Sequence, residues 1–213
     1  MSVKVKICGL KTEDAVASAV LSGADYLGFV FFANSPRNVT VEQAKNLMKI
    51  IPDDIKVVAV TVDAKNEDLD IIFANFKPDY IQCHGSESVE RLIELKERYG
   101  FAIIKAIAVS SQDDIVKGME YENIADMLLF DSKDPESILP GGNGLSFDWT
   151  LLKSLSFTKN WFLSGGLTIQ NINDAISITG ARQVDVSSSI ESKPGIKDPD
   201  LIRKFLNKVK NNE

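Results

Sequence analysis

Two cysteines, a single histidine and no long apolar run set the first limits on this 213-residue chain. With one histidine in all, no histidine–cysteine cluster can complete a zinc site, so no metal is expected. The opening Met1-Ser2-Val3-Lys4-Val5-Lys6 lacks the apolar stretch of a secretory signal. No segment reaches membrane-spanning length either, so no membrane partner is expected. A cytoplasmic location with free thiols follows as the expectation, and a Cys8–Cys83 disulfide is disfavoured. A basic excess is also missing. Lys and Arg number 24 against 30 Asp and Glu, a formal charge of −6, which argues against a nucleic-acid partner. An anionic small molecule stays open, because helix N-termini and one or two arginines set the local field.

What is present is one unit repeated. Short, nearly continuous apolar runs near 3–7, 26–31, 56–62, 80–82, 102–106, 127–130, 161–163 and 183–186 read as strands buried on both faces. Amphipathic segments starting near Thr12, Thr40, Asn66, Ser88, Gln112, Asp148, Thr168 and Asp198 read as the intervening helices, several opening on capping residues. Gly23, Gly100 and Gly180 stand where helix C-caps are needed. Eight strand–helix units predict an α/β fold, a single (β/α)8 TIM barrel of parallel strands over residues 1–213, with 208–213 a frayed tail. An open doubly wound sheet is disfavoured. It would gather its polar loops at one switch point, whereas here they recur at strand ends from first to last.

In a barrel the C-terminal strand ends share one face, so their residues meet. Strand 1 ends in Cys8, beside Gly9, which allows a sharp turn. Strand 2 leads to Ser35-Pro36-Arg37, a cation suited to a bidentate carboxylate contact; in isolation, pairing with a surface acid is the simpler role. Strand 4 ends in Gln82-Cys83-His84-Gly85. Its histidine reads as a satisfied structural or substrate-positioning residue rather than as an acid–base group. Asp131 closes strand 6 as a candidate general acid or base. Beyond it, Gly141-Gly142-Asn143-Gly144 permits close backbone approach to a ligand, and Asp148 is a helix cap. Ser164-Gly165-Gly166 after strand 7 and Ser187-Ser188-Ser189 after strand 8 occupy the positions where many barrels hold phosphate. A thiol, a carboxylate, an arginine and a phosphate cradle suit proton shuffling on a phosphorylated small molecule, without redox change.

Six blocks carry a family resemblance: Lys6-Ile7-Cys8-Gly9; Gly28-Phe29-Val30-Phe31 with Ser35-Pro36-Arg37; Gln82-Cys83-His84-Gly85; Gly141-Gly142-Asn143-Gly144 with Phe147-Asp148-Trp149; Ser164-Gly165-Gly166-Leu167; and Asp185-Val186-Ser187-Ser188 with Pro194-Gly195-Lys197-Asp198. Together they resemble the phosphoribosylanthranilate isomerases of tryptophan biosynthesis, in the family's order, from Lys6 to Asp198. The resemblance implies a cofactor-free Amadori rearrangement of N-(5-phosphoribosyl)anthranilate to 1-(2-carboxyphenylamino)-1-deoxyribulose 5-phosphate. It implies Asp131 as general acid, Cys8 as general base and Arg37 on the anthranilate carboxylate. His84, Gly142 and Gly144 would contact substrate, and Gly165, Gly166, Ser187, Ser188 and Ser189 the phosphate. A monomer or homodimer is expected.

Two positions depart from the family pattern. Ser189 replaces a customary glycine, and is strained if that position requires positive φ. Cys83 replaces an aliphatic residue, a benign apolar exchange. Rival readings fit less well. A non-catalytic sugar-phosphate-binding barrel has no reason to keep both Cys8 and Asp131. A pentulose-phosphate epimerase wants metal-binding histidines, indole-glycerol-phosphate synthase wants lysine and glutamate, and a bifunctional histidine-pathway isomerase wants two aspartates.

Overall fold

The computed structural model describes residues 3–133, 141, 144, 146–153 and 157–211. Eight parallel strands close in sequence order into a barrel: β1 (Lys4–Cys8), β2 (Tyr26–Phe31), β3 (Lys56–Thr61), β4 (Tyr80–Cys83), β5 (Ala102–Val109), β6 (Met127–Ser132), β7 (Asn160–Leu163) and β8 (Gln183–Val186). The ring is sealed by β1 against β8, where Lys6 is the register partner of Asp185 and Ile7 of Val186. β5 and β6 run beyond their expected ends, to Val109 and Ser132, because the two pair with each other over six positions from Ile104↔Met127 to Val109↔Ser132.

Strand alternation sorts the side chains. Val30, Val58, Val60, Ile104, Leu129 and Phe162 pack together as the barrel interior. Their neighbours, such as Ile7, Phe29, Ala59, Ile81 and Phe130, face outward into a second, larger core under the helices. Cys83 lies in that outer core, fully buried, while His84 turns toward the barrel mouth. Cys8 and Cys83 are both free thiols.

The helices are α1 (Glu13–Leu21), α2 (Val41–Met48), α3 (Asn66–Asn75), α4 (Val89–Tyr99), α5 (Gln112–Gly118), α6 (Ile172–Thr179) and α7 (Pro199–Lys210). Thr12, Thr40, Ser88, Ser111 and Asp198 cap their first turns with side-chain oxygens, each satisfying N–H groups that the helix itself cannot. Gly100 and Gly180 end α4 and α6 in the left-handed conformation.

Three expectations are corrected. The segment after Asp148 forms a 3₁₀ turn, Trp149–Leu152, and not an α-helix. Asp148 Oδ1 accepts the Thr150 N–H at 3.0 Å and its hydroxyl at 2.7 Å, which closes a tight turn, and Leu152 is buried with Trp149 and Leu151 packed partly against the core. α6 starts at Ile172 and not near Thr168. The side chains of Thr168 and Asn171 bond each other's backbone N–H, which closes a separate turn first. The 208–213 tail is helical as far as Lys210. Val209 is buried, and Lys210 Nζ reaches Asp25 Oδ2 at 2.6 Å and the Val3 carbonyl at 3.2 Å. Ile202, Phe205, Leu206 and Val209, at helical spacing, make the buried face of α7, which packs on α1. No helix among the described residues is long and apolar enough to cross a membrane.

Candidate active site

The C-terminal mouth of the barrel opens on a cleft of about 710 Å³, counting its open entrance. Cys8 stands in its wall at the end of β1, with only 7% of its surface exposed. Burial pushes the thiol above its ordinary range. Lys6, two residues earlier on the same face of β1, pulls it back, and Asp185 pushes it further up. The Lys6 ammonium is completely buried and sits 2.8 Å from Asp185 Oδ1. Burial disfavours its charge, but Asp185 and Cys8 outweigh that and hold its pKa above the usual lysine value. Ser164 Oγ donates to the other Asp185 oxygen at 3.3 Å.

Across the mouth, Asp131 is buried at the end of β6, one oxygen accepting the Ser132 N–H at 2.9 Å. Its other oxygen lies 3.3 Å from His84 Nε2. Gln82 Nε2 is 2.8 Å from His84 Nδ1, and with the amide assigned this way round it donates there. The ring proton then sits on Nε2, toward Asp131. Gly141 closes over this pair: a Cβ there would stand 2.6 Å from Asp131 Oδ2 and 2.7 Å from His84 Nε2. A side chain there would displace the Asp131 carboxylate and the His84 ring from each other's reach. Gly144 lies near Ser188, and Gly142 falls outside the described residues.

Arg37 lines the cleft, and it also pairs with an acid, as the simpler reading of an arginine expects, though that acid is buried. Its Nε and Nη2 contact the two oxygens of Glu191 at 2.8 and 2.9 Å. Lys197 Nζ approaches the same carboxylate at 2.5 Å and the Ser187 carbonyl at 3.0 Å. Burial favours the neutral Glu191 acid, but Arg37 and Lys197 together hold its carboxyl below the usual range. Burial also lowers Lys197, against the pull of Glu191. The clamp orients the guanidinium at the cleft wall.

The glycine and serine loops face the same space. Gly165 has φ of +83°, and a Cβ there would meet the Ser132 nitrogen at 2.6 Å, so no other residue fits. Ser187 hydrogen-bonds the Cys8 carbonyl at 3.2 Å, and Ser188 begins the 3₁₀ turn Ser188–Ile190. Ser189 is not among the residues with positive φ, which settles the question of strain: serine fits. Its hydroxyl donates to the Leu167 carbonyl at 2.5 Å and ties the two loops together.

Residues 5–208 match the family model described as N-(5'-phosphoribosyl)anthranilate (PRA) isomerase. The chain belongs to this family. It is 48% identical over 213 residues to N-(5'-phosphoribosyl)anthranilate isomerase of Parvibaculum lavamentivorans, covering 99% of both chains. It is also 48% identical to the enzyme of that name from Sinorhizobium fredii, covering all of this chain and 96% of the other. Among solved structures, phosphoribosyl anthranilate isomerase from Thermotoga maritima superposes with a TM-score of 0.88 at 34% identity, over 98% of this chain and 99% of that one. A phosphoribosyl anthranilate isomerase in complex with reduced 1-(o-carboxyphenylamino)-1-deoxyribulose 5-phosphate has a TM-score of 0.84 at 31% identity, over 98% and 99%.

Within this family member, sequence reasoning missed four charged residues: Lys6, Asp185, Glu191 and Lys197. A signal existed for the first two. A lysine between Val5 and Ile7, and an aspartate between Val184 and Val186, are charges inside runs that otherwise read as buried strand. Glu191 and Lys197 lie in the short hairpin β9 (Glu191–Lys193) and β10 (Ile196–Lys197), where no local pattern announces a partner. Gly141 carries no local signal that separates it from Gly142 and Gly144.

Proposed function

We propose that this protein converts N-(5'-phosphoribosyl)anthranilate to 1-(2-carboxyphenylamino)-1-deoxyribulose 5-phosphate by acid–base catalysis. The observation that carries this reading is that Cys8 and Asp131, from strands three apart around the barrel, open onto one cleft bordered by the glycine and serine loops. Asp131, in its protonated form, donates to the furanose oxygen. The C1–O bond breaks, and the nitrogen lone pair forms the C1–N double bond of a Schiff base. That cationic centre acidifies the C2 proton, which the Cys8 thiolate removes. The resulting enolamine tautomerises to the ketone. The order is required chemically, since a thiolate is a weak base for an unactivated C–H bond.

Arg37, held by Glu191, takes the anthranilate carboxylate. His84 and Gly144 border the substrate beside Asp131 and Ser188, and Gly142 belongs to the same glycine segment. The backbone N–H groups of Gly165, Gly166, Ser187, Ser188 and Ser189 receive the phosphate, a cradle that needs no cationic side chain.

The test is loss of substrate fluorescence on freshly prepared N-(5'-phosphoribosyl)anthranilate. Cys8→Ala and Asp131→Asn should each lower kcat by about 10²–10⁴-fold while the far-UV spectrum stays native. Full activity in either variant removes that residue from the mechanism. No turnover by the folded wild type discards the isomerase reading for this chain.

A further inference from the structure

One buried charge has no part in the mechanism so far. Lys6 lies on the barrel interior with no exposed surface, where an isolated ammonium is strongly disfavoured. Its register partner Asp185 neutralises it at 2.8 Å. Two leucines would pack that space without a desolvation penalty, so the pair is weak as a stability device.

The geometry around Gly28 shows what else the ammonium faces. A Cβ built on Gly28 would lie 3.1 Å from Cys8 Sγ and 3.2 Å from Lys6 Nζ. The missing side chain on β2 therefore leaves a gap that the thiol and the ammonium share. Alternation puts Lys6 and Cys8 on the same face of β1, and the glycine opposite keeps apolar bulk from coming between them. Three adjacent strands thus build one charged group: an ammonium from β1, its anchoring carboxylate from β8, and space from β2.

We propose that Lys6 is a positioning residue for Cys8, its ammonium anchored by Asp185 and serving as the counter-ion of the thiolate. This rests on the reading of Cys8 as the general base. When Cys8 ionises, the Lys6–Asp185 pair changes from a neutral pair to a triad of two anions about one cation. When Cys8 takes the C2 proton, the neutral pair is restored. No proton needs to leave Lys6 at either stage. The other charged or titratable groups around the thiol are Lys197, which also favours the thiolate, and Arg37, His84 and Asp131, which line the cleft.

The cation and the anion act on the thiol in opposite directions, so removing each charge in turn separates them. In a Cys83→Ala background the Cβ chemical shift of isotopically labelled Cys8 is titrated with pH, which needs neither substrate nor reagent access. Lys6→Met should move the midpoint up by one unit or more, at least about tenfold less thiolate at a given pH below it. Asp185→Asn should move it down, because it deletes an anion and keeps the cation. The double variant Lys6→Met/Asp185→Asn should fall above wild type but below Lys6→Met. It also leaves no unpaired buried charge, so it folds if Lys6→Met does not. The pH at which kcat rises should shift in the same order.

Coincident midpoints in wild type, Asp185→Asn and the double variant would overturn the proposal, since a structural role moves stability without moving the titration in opposite directions. If the midpoints shift as stated but Cys8→Ala retains full turnover, Lys6 is still the thiolate's counter-ion and it is the general-base reading that fails.

Discussion

Replacing Glu191 by glutamine is the sharpest test of how the cleft wall is built. The carboxylate is shared by Arg37 and Lys197, and the side chains of Glu191, Arg37 and Lys197 are 4%, 8% and 1% exposed. At that burial, solvent does not screen the interaction. Glutamine keeps the shape and leaves two cations facing a neutral amide. Breaking a buried pair by removing one partner costs about 3–5 kcal/mol. For a domain of this length that lowers Tm by about 6–20 °C, at roughly 2–4 °C per kcal/mol. The sign with pH follows from the depressed Glu191 carboxyl. A carboxyl held below its unfolded pKa contributes stability that is complete above the unfolded value and is lost as pH falls through the folded one. Protonated Glu191 resembles glutamine, so the two proteins should converge in stability as pH drops below about 4, the ordinary carboxylate range. Urea unfolding of both proteins at neutral and acidic pH measures this. Substrate KM should rise in the variant, because Arg37 loses its clamp. A loss under about 1 kcal/mol at neutral pH, the worth of an exposed pair, would refute the reasoning.

Two further outcomes probe the loops. Gly165→Ala forces a Cβ onto the Ser132 nitrogen and an L-residue into positive φ, so it should lose about 1–3 kcal/mol of stability and raise KM; a variant with wild-type Tm and KM would mean that the loop simply moves aside. Ser189→Gly removes one hydrogen bond worth about 1 kcal/mol between the two loops, so KM for substrate and Ki for inorganic phosphate should each rise about fivefold with kcat unchanged; unchanged constants would show that the tie does not organise the cradle.

The strand and helix pattern was legible because it is local. Apolar runs such as Met127–Phe130 and capping residues such as Thr40 act within a few positions, and every one of the eight strands stands where its run predicts. The errors fell where local signals competed. Thr168 and Asp148 both carry helix-start chemistry. In the fold, Thr168 is consumed by its reciprocal bonds with Asn171, and Asp148 bonds Thr150 two residues on, which closes a 3₁₀ turn. Cys8, Arg37, His84 and Asp131 could be picked out because a barrel brings every strand's C-terminal end to one face, whatever the register.

Closure of the ring is what the chain order alone does not display. It sets β1 beside β8, so that Lys6 meets Asp185 across 179 residues, and it brings Arg37 to Glu191 across 154. Which charge faces which, and whether a position such as Ser189 needs a glycine's φ, depend on strand register and on the approach of distant loops. Determined by the sequence itself were the eight strands, most of the helices, the family and the candidate side chains at the strand ends; the tertiary structure decided their ionic partners, because charges in a desolvated interior take their meaning from the nearest opposite charge, and that neighbour is seldom near in sequence.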